Sequence, residues 1–452
     1  MLWLRRDLRL ADHPALGAAH TESDGGRVLP LFVLDHRLWD SAGAVRRAWL
    51  SASLESLQAR YDGALVVRTG SPATVVPEVA REVGSTSVHV TAESTPFGRR
   101  RDAEVRAALE AEGRRLEATG TAYAVGPGTL RSGGGTPFQV FTPFSRAWRE
   151  HGWPGPARIP RKLRFVESVE SEELPEADDA ESDVPQLPRG GEPAALEHWH
   201  DFLDEGLRRY DERRDRPDLD GTSQMSAHLK YGEIHPRTLL SDIAAHPDTR
   251  KKGAERYLTE LCWREFYADV LWHHPLSAWH DLKPALAAMV YDEPGERFDA
   301  WRAGRTGYPV VDAGMRQIVA QGWMHNRMRM ITASFLVKDL HIHWSHGARH
   351  FLSLLRDGDV ASNNHGWQWV AGTGTDPSPY FRIFNPVTQG KKFDPEGDYV
   401  RRYVPELEHL PGPAAHEPWT APGGYERGYP PRVVDHAAER AEALRRYEAA
   451  RG

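Results

Sequence analysis

The 452-residue sequence predicts an α/β fold: an N-terminal Rossmann-like, doubly wound parallel sheet followed by an all-helical domain. Three observations carry this expectation. Short apolar runs of strand length alternate with helical periodicities up to residue 125, strand patterns vanish after residue 192, and a stretch rich in Pro, Gly and charge separates the two regions. A chain this long also exceeds the usual size of one domain, and each part is large enough to bury a core of its own.

The apolar runs at 2–4 and 28–34 (VLPLFVL) have strand length, with a polar stretch between them. A helical pattern follows over 44–60. ALVVR at 64–68 reads as the next strand, a helix runs over 72–83, VHV at 88–90 is a further strand, a helix spans 99–116, and TAYAV at 121–125 closes the series. No GxGxxG follows the first strand, so the dinucleotide fingerprint is absent. From 126 to 191 the composition, as in PGPARIPRK, is that of a connector with some loop structure of its own, and its acidic run at 167–183 reads as solvated chain. Helices are expected at 192–210, 226–232, 236–246, 253–273, 312–339 and 346–356, and a last one at 435–450. Eight of the fifteen tryptophans lie between Trp263 and Trp369, so the helical part is rich in buried aromatics. The expected domains are therefore 1–125, 126–191 and 192–452.

Hydrophobic residues make up 40% of the chain and charged residues 27%, the balance of a soluble globular protein. Cys262 is the only cysteine, so no internal disulfide can form and a reducing compartment fits. No apolar run approaches the ~18 residues of a membrane span, and MLWLRRDLRL lacks the layout of a signal peptide, so a cytoplasmic protein is expected. The net charge of -7 on its own argues against nucleic acid as a partner. The acidic run supplies most of that excess, however, and arginines gather elsewhere, which leaves room for a local basic face.

Chemistry concentrates at 356–385, RDGDVASNNHGWQWVAGTGTDPSPYFRIFN. Asp357, Asp359, Asn363, Asn364, Trp367 and Trp369 fall within thirteen positions, followed by a Gly/Thr/Pro loop. Acids for ribose or amide donors, amides for a heterocycle and aromatics for stacking suit a large planar cofactor. In GTSQMSAHLKYGEIHPR (221–237), Thr222, Ser223 and Ser226 offer hydroxyls and helix-start donors, read either as a phosphate cradle or as ordinary capping. Glu260, Trp263 and Arg264 share one helical face in TELCWREFYADV, as a site wall or as a core indole beside a surface ion pair. Asn326 and Met330 point the same way on the next chemistry-bearing helix, with Arg327 and Arg329 to either side; packing is the commoner use of such a methionine. HIHWSH (341–346) lacks a metal-ligand pattern, and neither a serine nor Cys262 sits in a nucleophile elbow.

Together RRDLRLADHPAL, TSQMSAHLKYGEI, LCWREFY, GYPVVDAGMRQIVAQGWMHNRMRMITASFLVKDL, DGDVASNNHGWQWVAGTGTDPSPYFRIFNP and QGKKFD resemble the photolyase/cryptochrome family over nearly the whole chain, most closely its class I cyclobutane pyrimidine dimer photolyases. The resemblance implies an α/β antenna domain at 1–125, a connector at 126–191 and a helical FAD- and DNA-binding domain at 192–452. It implies that excited, reduced FAD donates an electron to the dimer and receives it back after the ring opens. Tyr210, Thr222, Ser223, Gln224, Met225, Ser226 and Arg264 would belong to the FAD site. Asp357 would pair with Arg329 beside the isoalloxazine, Asp359 would hold the ring or adenine side, and Asn363 would face flavin N5. Glu260, Trp263, Asn326, Arg327, Met330 and Trp369 match the lesion cavity, with Glu260, Asn326, Met330 and Asn363 as the catalytic group. Base–aromatic stacking worth roughly 1–3 kcal/mol per base offsets the few kcal/mol needed to extrude a base, so a poorly stacked dimer is flipped selectively. Arg214, Arg327, Arg382, Lys391 and Lys392 are candidates for phosphates. The partner implied is DNA containing pyrimidine dimers, with no membrane and no obligate protein partner, as for a monomer.

Two positions depart from the family pattern. The three-membered electron-transfer chain matches Trp367 and Trp344, but its outer position falls on Tyr291, whose oxidation must shed a proton. In ESTPFGRRRDAEV, Phe97 and Gly98 replace the Asn–Glu pair of folate-binding relatives, and Thr95 stands where deazaflavin-binding members often carry an acid. The favoured antenna is 8-hydroxy-5-deazaflavin, with methenyltetrahydrofolate or none as alternatives. A cryptochrome light sensor and a (6-4) photolyase are the competing readings. Asn363 opposes the first, and Asn326 and Met330, where the second relies on a histidine pair, oppose the other.

Overall fold

The computed structural model describes residues 1–166, 169–176, 184–283, 286, 288–375 and 382–451. Part of the expected acidic run, at 167–168 and 177–183, and part of the Gly/Thr/Pro loop, at 376–381, lie outside the described residues. By compactness the chain forms two units, Met1–Arg208 with Ser223–Pro275, and Arg209–Thr222 with Leu276–Gly452.

The first unit is built on strands β1 (Leu2–Leu4), β2 (Arg27–Val28), β3 (Pro30–Leu34), β4 (Val66–Thr69), β5 (Ser87–Ala92), β6 (Arg115–Thr121) and β7 (Arg164–Phe165). Five of them form one parallel sheet in the order β4-β3-β1-β5-β6, while β2 pairs with β7. The chain order reverses at β1, which makes the sheet doubly wound, as expected. β1 is buried along its length because both faces are covered: Leu2 and Leu4 join one apolar layer with Leu16, Trp49 and Leu54, and Trp3 joins the other with Leu31, Val76 and Val88. The period-2 alternation of strand side chains sorts neighbouring residues into different layers.

Several element boundaries differ from the sequence pattern, for identifiable reasons. The helix expected over 99–116 is Pro96–Glu110; Gly113, at φ 70°, turns the chain, and the strand follows at once as β6. TAYAV at 121–125 is consequently not the strand. The backbone N–H groups of Ala124 and Val125 donate instead to the buried carboxylate of Glu265. The polar stretch after β1 holds a helix, Pro14–Glu22, whose N-terminus is capped by the His13 imidazole. The connector contains the Phe141–His151 helix and β7.

In the second unit one continuous core runs from Trp301 to Val434 and includes Met315, Phe335, Trp344, Phe351, Trp367 and Tyr399. The helix expected over 312–339 is interrupted. Pro309–Gln321 ends at Gly322 in the left-handed region, and Asn326–Ser334 restarts after His325, whose ring caps the new N-terminus and whose successor turn widens to a π-helix at Phe335–Asp339. Helices also form at Trp344–Leu354, Val360–Ala371 and Pro386–Phe393, the latter two unassigned by the sequence pattern.

Candidate functional site

In the second unit the Val360–Ala371 helix organises the site. Asp359 is its N-cap and accepts from the Ser362 N–H at 3.0 Å. Two residues earlier, the buried Asp357 carboxylate pairs with Arg329 at 2.8 Å, and Arg329 is held from its other side by the Met324 carbonyl at 2.8 Å. The adjacent amides act in series. Buried Asn364 donates to the Ala278 carbonyl, and Asn363 Nδ2 donates both to Asn364 Oδ1 at 2.8 Å and to the Ala348 carbonyl at 3.2 Å. Two acceptors on one side fix which end of the Asn363 amide is nitrogen, so what Asn363 offers to a ligand is its Oδ1, an acceptor.

The two tryptophans of this helix are two positions apart, close to opposite sides of a 3.6-residue turn. Trp367 is buried and packs edge-on to Phe351 at 4.9 Å and Trp301 at 6.1 Å. Trp369 is half-buried, with the Arg382 guanidinium 5.5 Å from its ring. Trp344 is fully buried, and its indole N–H donates to Asp281 at 2.7 Å. Burial works against charge on Asp281, but the His343 imidazole 3.7 Å away and the Trp344 N–H outweigh it and hold its carboxyl below the usual range. Tyr291 meets the His343 ring edge-on at 4.9 Å. Its buried hydroxyl has no hydrogen-bond partner among the described residues, and burial, helped by Asp281, pushes its pKa up.

On the Asn326–Ser334 helix, Asn326 is exposed and Met330 is half-buried against the core. Arg327 is more constrained than a free phosphate ligand. It pairs with Asp215 at 2.9 Å, lies 4.4 Å from the Phe393 ring and points one N–H at the Met330 sulfur. Tyr210 is buried, with Arg214 over its ring at 5.9 Å, and Thr222 is half-buried. Lys391 is paired with Glu417, and Lys392 sits 5.0 Å from the Phe393 ring. The histidines of HIHWSH serve the fold: His341 pairs with Glu439, and His343 caps the Trp344–Leu354 helix.

In the first unit the Lys252–His273 helix carries Glu260, Trp263 and Arg264, all half-buried. Glu260 pairs with Arg256, four residues earlier, at 3.0 Å. Arg264 ties the 121–125 stretch to the Ser226–Tyr231 helix, donating to the Ala122 and Leu229 carbonyls and packing on the Tyr123 ring. Ser223 Oγ is 2.9 Å from the Tyr257 hydroxyl, Met225 is buried, Ser226 is exposed, and Gln224 adopts a left-handed φ of 47°, uncommon for a residue with a side chain. Thr95 caps the Pro96–Glu110 helix, Phe97 lies under Arg37, and a Cβ at Gly98 would fall 1.9 Å from the Glu93 side chain.

The second unit thus brings Arg329 onto Asp357, links Asn363 to Asn364 and sends Trp367 and Trp369 in different directions. Sequence reasoning misses Asp281, Asp215, Arg256 and Phe141. Only Phe141 left a signal: Phe141, Phe144 and Trp148 recur at helical spacing within the supposed connector.

Residues 1–162 match the family model described as DNA photolyase, and residues 257–449 match the FAD binding domain of DNA photolyase. The chain is 43% identical to a deoxyribodipyrimidine photo-lyase of Streptomyces griseus, covering 99% of this chain and 97% of that one. It is 40% identical to one of Escherichia coli, covering 100% and 98%. Its fold is similar to a crystal structure of a bacterial class III photolyase from Agrobacterium tumefaciens, with a TM-score of 0.92 at 36% identity over 99% and 97% of the two chains. A cryptochrome of Synechocystis is also similar, with a TM-score of 0.89 at 27% identity over 98% of each.

Proposed function

This chain belongs to the DNA photolyase family, and on that premise we propose that it is a light-driven repair enzyme that splits cyclobutane pyrimidine dimers in DNA. The observation that carries the reading is full-length similarity to deoxyribodipyrimidine photo-lyases combined with the Asn363 amide, whose nitrogen is spent within the fold. FAD is the cofactor, and the residues present fit it: the buried Asp357 carboxylate paired with the half-buried Arg329 guanidinium, and, on the helix that follows Asp357, the Asn363 amide, which offers an acceptor alone. When bound reduced and excited by near-UV or blue light, FAD supplies the electron that opens the cyclobutane ring.

The protein's own residues bind and orient. Tyr210, Thr222, Ser223 and Ser226 contact the phosphates and ribityl chain, Gln224, Met225 and Arg264 complete the FAD site, Asp357 with Arg329 lies beside the isoalloxazine, Asp359 holds the ring or adenine side, and Asn363 favours a flavin that carries an N–H at N5. Trp263 and Trp369 stack on the flipped bases, Glu260 and Asn326 bond their carbonyl and imide edges, and Met330 packs against them. Arg214, Arg327, Arg382, Lys391 and Lys392 neutralise phosphates. Trp367 and Trp344 pass an electron inward during photoreduction. The buried Tyr291 hydroxyl, with no acceptor for its proton among the described residues, makes a slow outer step. The division into an antenna domain at 1–125, a connector at 126–191 and an FAD- and DNA-binding domain at 192–452 belongs to the same proposal, as do a monomeric state and a cytoplasmic location; among the described residues no helix is long and apolar enough to cross a membrane.

For the antenna we favour 8-hydroxy-5-deazaflavin over methenyltetrahydrofolate. The glutamate of a folate-type Asn–Glu pair does not fit at position 98, where the space of a Cβ is taken by Glu93. An absorption spectrum of the purified protein tests both chromophores: oxidised FAD gives the flavin's own visible absorption, and the antenna adds a band of its own. The enzyme reading is tested in the dark and then in light. The protein should retain a dimer-containing oligonucleotide over an undamaged one and release it on illumination. Retention of a (6-4) photoproduct instead, or no selectivity, would favour the other members of the family.

A further inference from the structure

We propose that Phe141 is a positioning residue for lesion binding, holding the Trp263 indole as a preformed stacking platform with one face sealed. The inference rests on the reading that Trp263 stacks on a flipped pyrimidine. The two rings lie parallel within 3°, with centroids 3.7 Å apart, and both residues are only half-buried. Aromatic pairs left to their quadrupoles prefer offset or edge-to-face arrangements, so this face-to-face contact is imposed from outside the pair.

What imposes it is the docking of the Phe141–His151 helix along the Lys252–His273 helix. Phe144 packs on Phe266 at 5.2 Å, the Trp148 indole donates to Glu265 at 2.6 Å, and Arg149 pairs with Glu255 at 2.9 Å. Phe144 and Trp148 are buried and fasten the helix, while Phe141, at its first turn, lies at the end of the contact. Tyr267 at 5.4 Å and Phe266 at 5.7 Å brace the same indole from the side. An indole already immobilised and already desolvated on one face gives up less side-chain entropy when a base stacks on the other. It can also accept a base from that side only, which selects for a pyrimidine presented out of the helix.

The test uses the holoprotein in the dark with two labelled oligonucleotides, one carrying a single cyclobutane thymine dimer and one undamaged. Phe141→Leu should weaken dimer binding roughly three- to tenfold, the cost of ordering one aromatic side chain, and leave undamaged DNA unchanged; Phe141→Tyr should restore it. Combined with Trp263→Ala, Phe141→Leu should add no further loss. Undiminished dimer binding in Phe141→Leu, equal loss on both oligonucleotides, or full additivity with Trp263→Ala would overturn the proposal. A wild-type protein that bound both oligonucleotides alike would overturn the repair reading and this pairing with it, whereas a selective wild type with an indifferent Phe141→Leu overturns the pairing alone.

Discussion

At the residue scale, close packing and burial set the consequences of single changes. A Cβ on Gly347 would meet the Trp367 ring at 2.2 Å and Leu336 at 2.6 Å. Alanine is the better helix former by roughly 0.5–1 kcal/mol, but overpacking costs about 1–3 kcal/mol, so Gly347→Ala should lower the thermal midpoint. His325 gives a pH prediction. Burial holds its pKa down to about 4, assisted by Arg327, Arg214 and Arg329 and opposed by Asp215, against an ordinary 6.5. The unfolded chain therefore takes up the proton first, and stability that is full above pH 6.5 is lost as the pH falls through 4, on the order of 3 kcal/mol at 1.36 kcal/mol per unit. His325→Asn replaces the capping ring nitrogen with an amide oxygen and removes the titration, so thermal midpoints between pH 6.5 and 4.5 should vary less than in the wild type. Trp367 and Trp369 should separate by assay: Trp367→Phe impairs photoreduction and spares repair by pre-reduced protein, whereas Trp369→Ala weakens lesion binding. The residue types of the site were legible because their chemistry is unusual for structure alone. The orientation of Asn363 was not, because it is set by Ala348 and Ala278, carbonyls that no side-chain pattern announces.

At the scale of elements, the Val360–Ala371 helix joins stability to the site through one carboxylate. Asp359→Ala should cost about 1 kcal/mol of stability through the lost cap. Asp359→Ser keeps a capping oxygen and most of that stability, yet should lower the FAD content of the purified protein if the carboxylate also holds the cofactor; equal FAD content in Asp359→Ser and wild type would confine Asp359 to capping. The long elements were legible because their periodicity is strong: the 44–60 helix appears as Ala44–Arg60, and the apolar run at 2–4 is β1. Misplaced elements failed for local reasons. The 121–125 run looked like a strand because it is apolar, but its backbone donors are taken by Glu265, a partner 140 residues away or more. The connector read as loop structure because it is rich in Pro and Gly, which hid the helix that bears on Trp263.

At the scale of the whole molecule, the net charge of -7 conceals how unevenly cations are committed. Lys391 already faces Glu417, whereas Lys392 has an aromatic neighbour. Lys392→Ala should therefore flatten the salt dependence of DNA binding by about one phosphate's worth of slope, and Lys391→Ala by less, measured as binding constants across a salt titration. The family architecture was readable because several long motifs span the chain, while the antenna proposal rests on the few side chains near Gly98 alone. The central claim is tested most directly by counting cyclobutane thymine dimers remaining in an oligonucleotide after illumination with fully reduced holoprotein. The dimers should disappear under blue light, persist in the dark, and be repaired in excess of the protein present; dimers left intact under light by protein whose FAD is fully reduced would contradict the account.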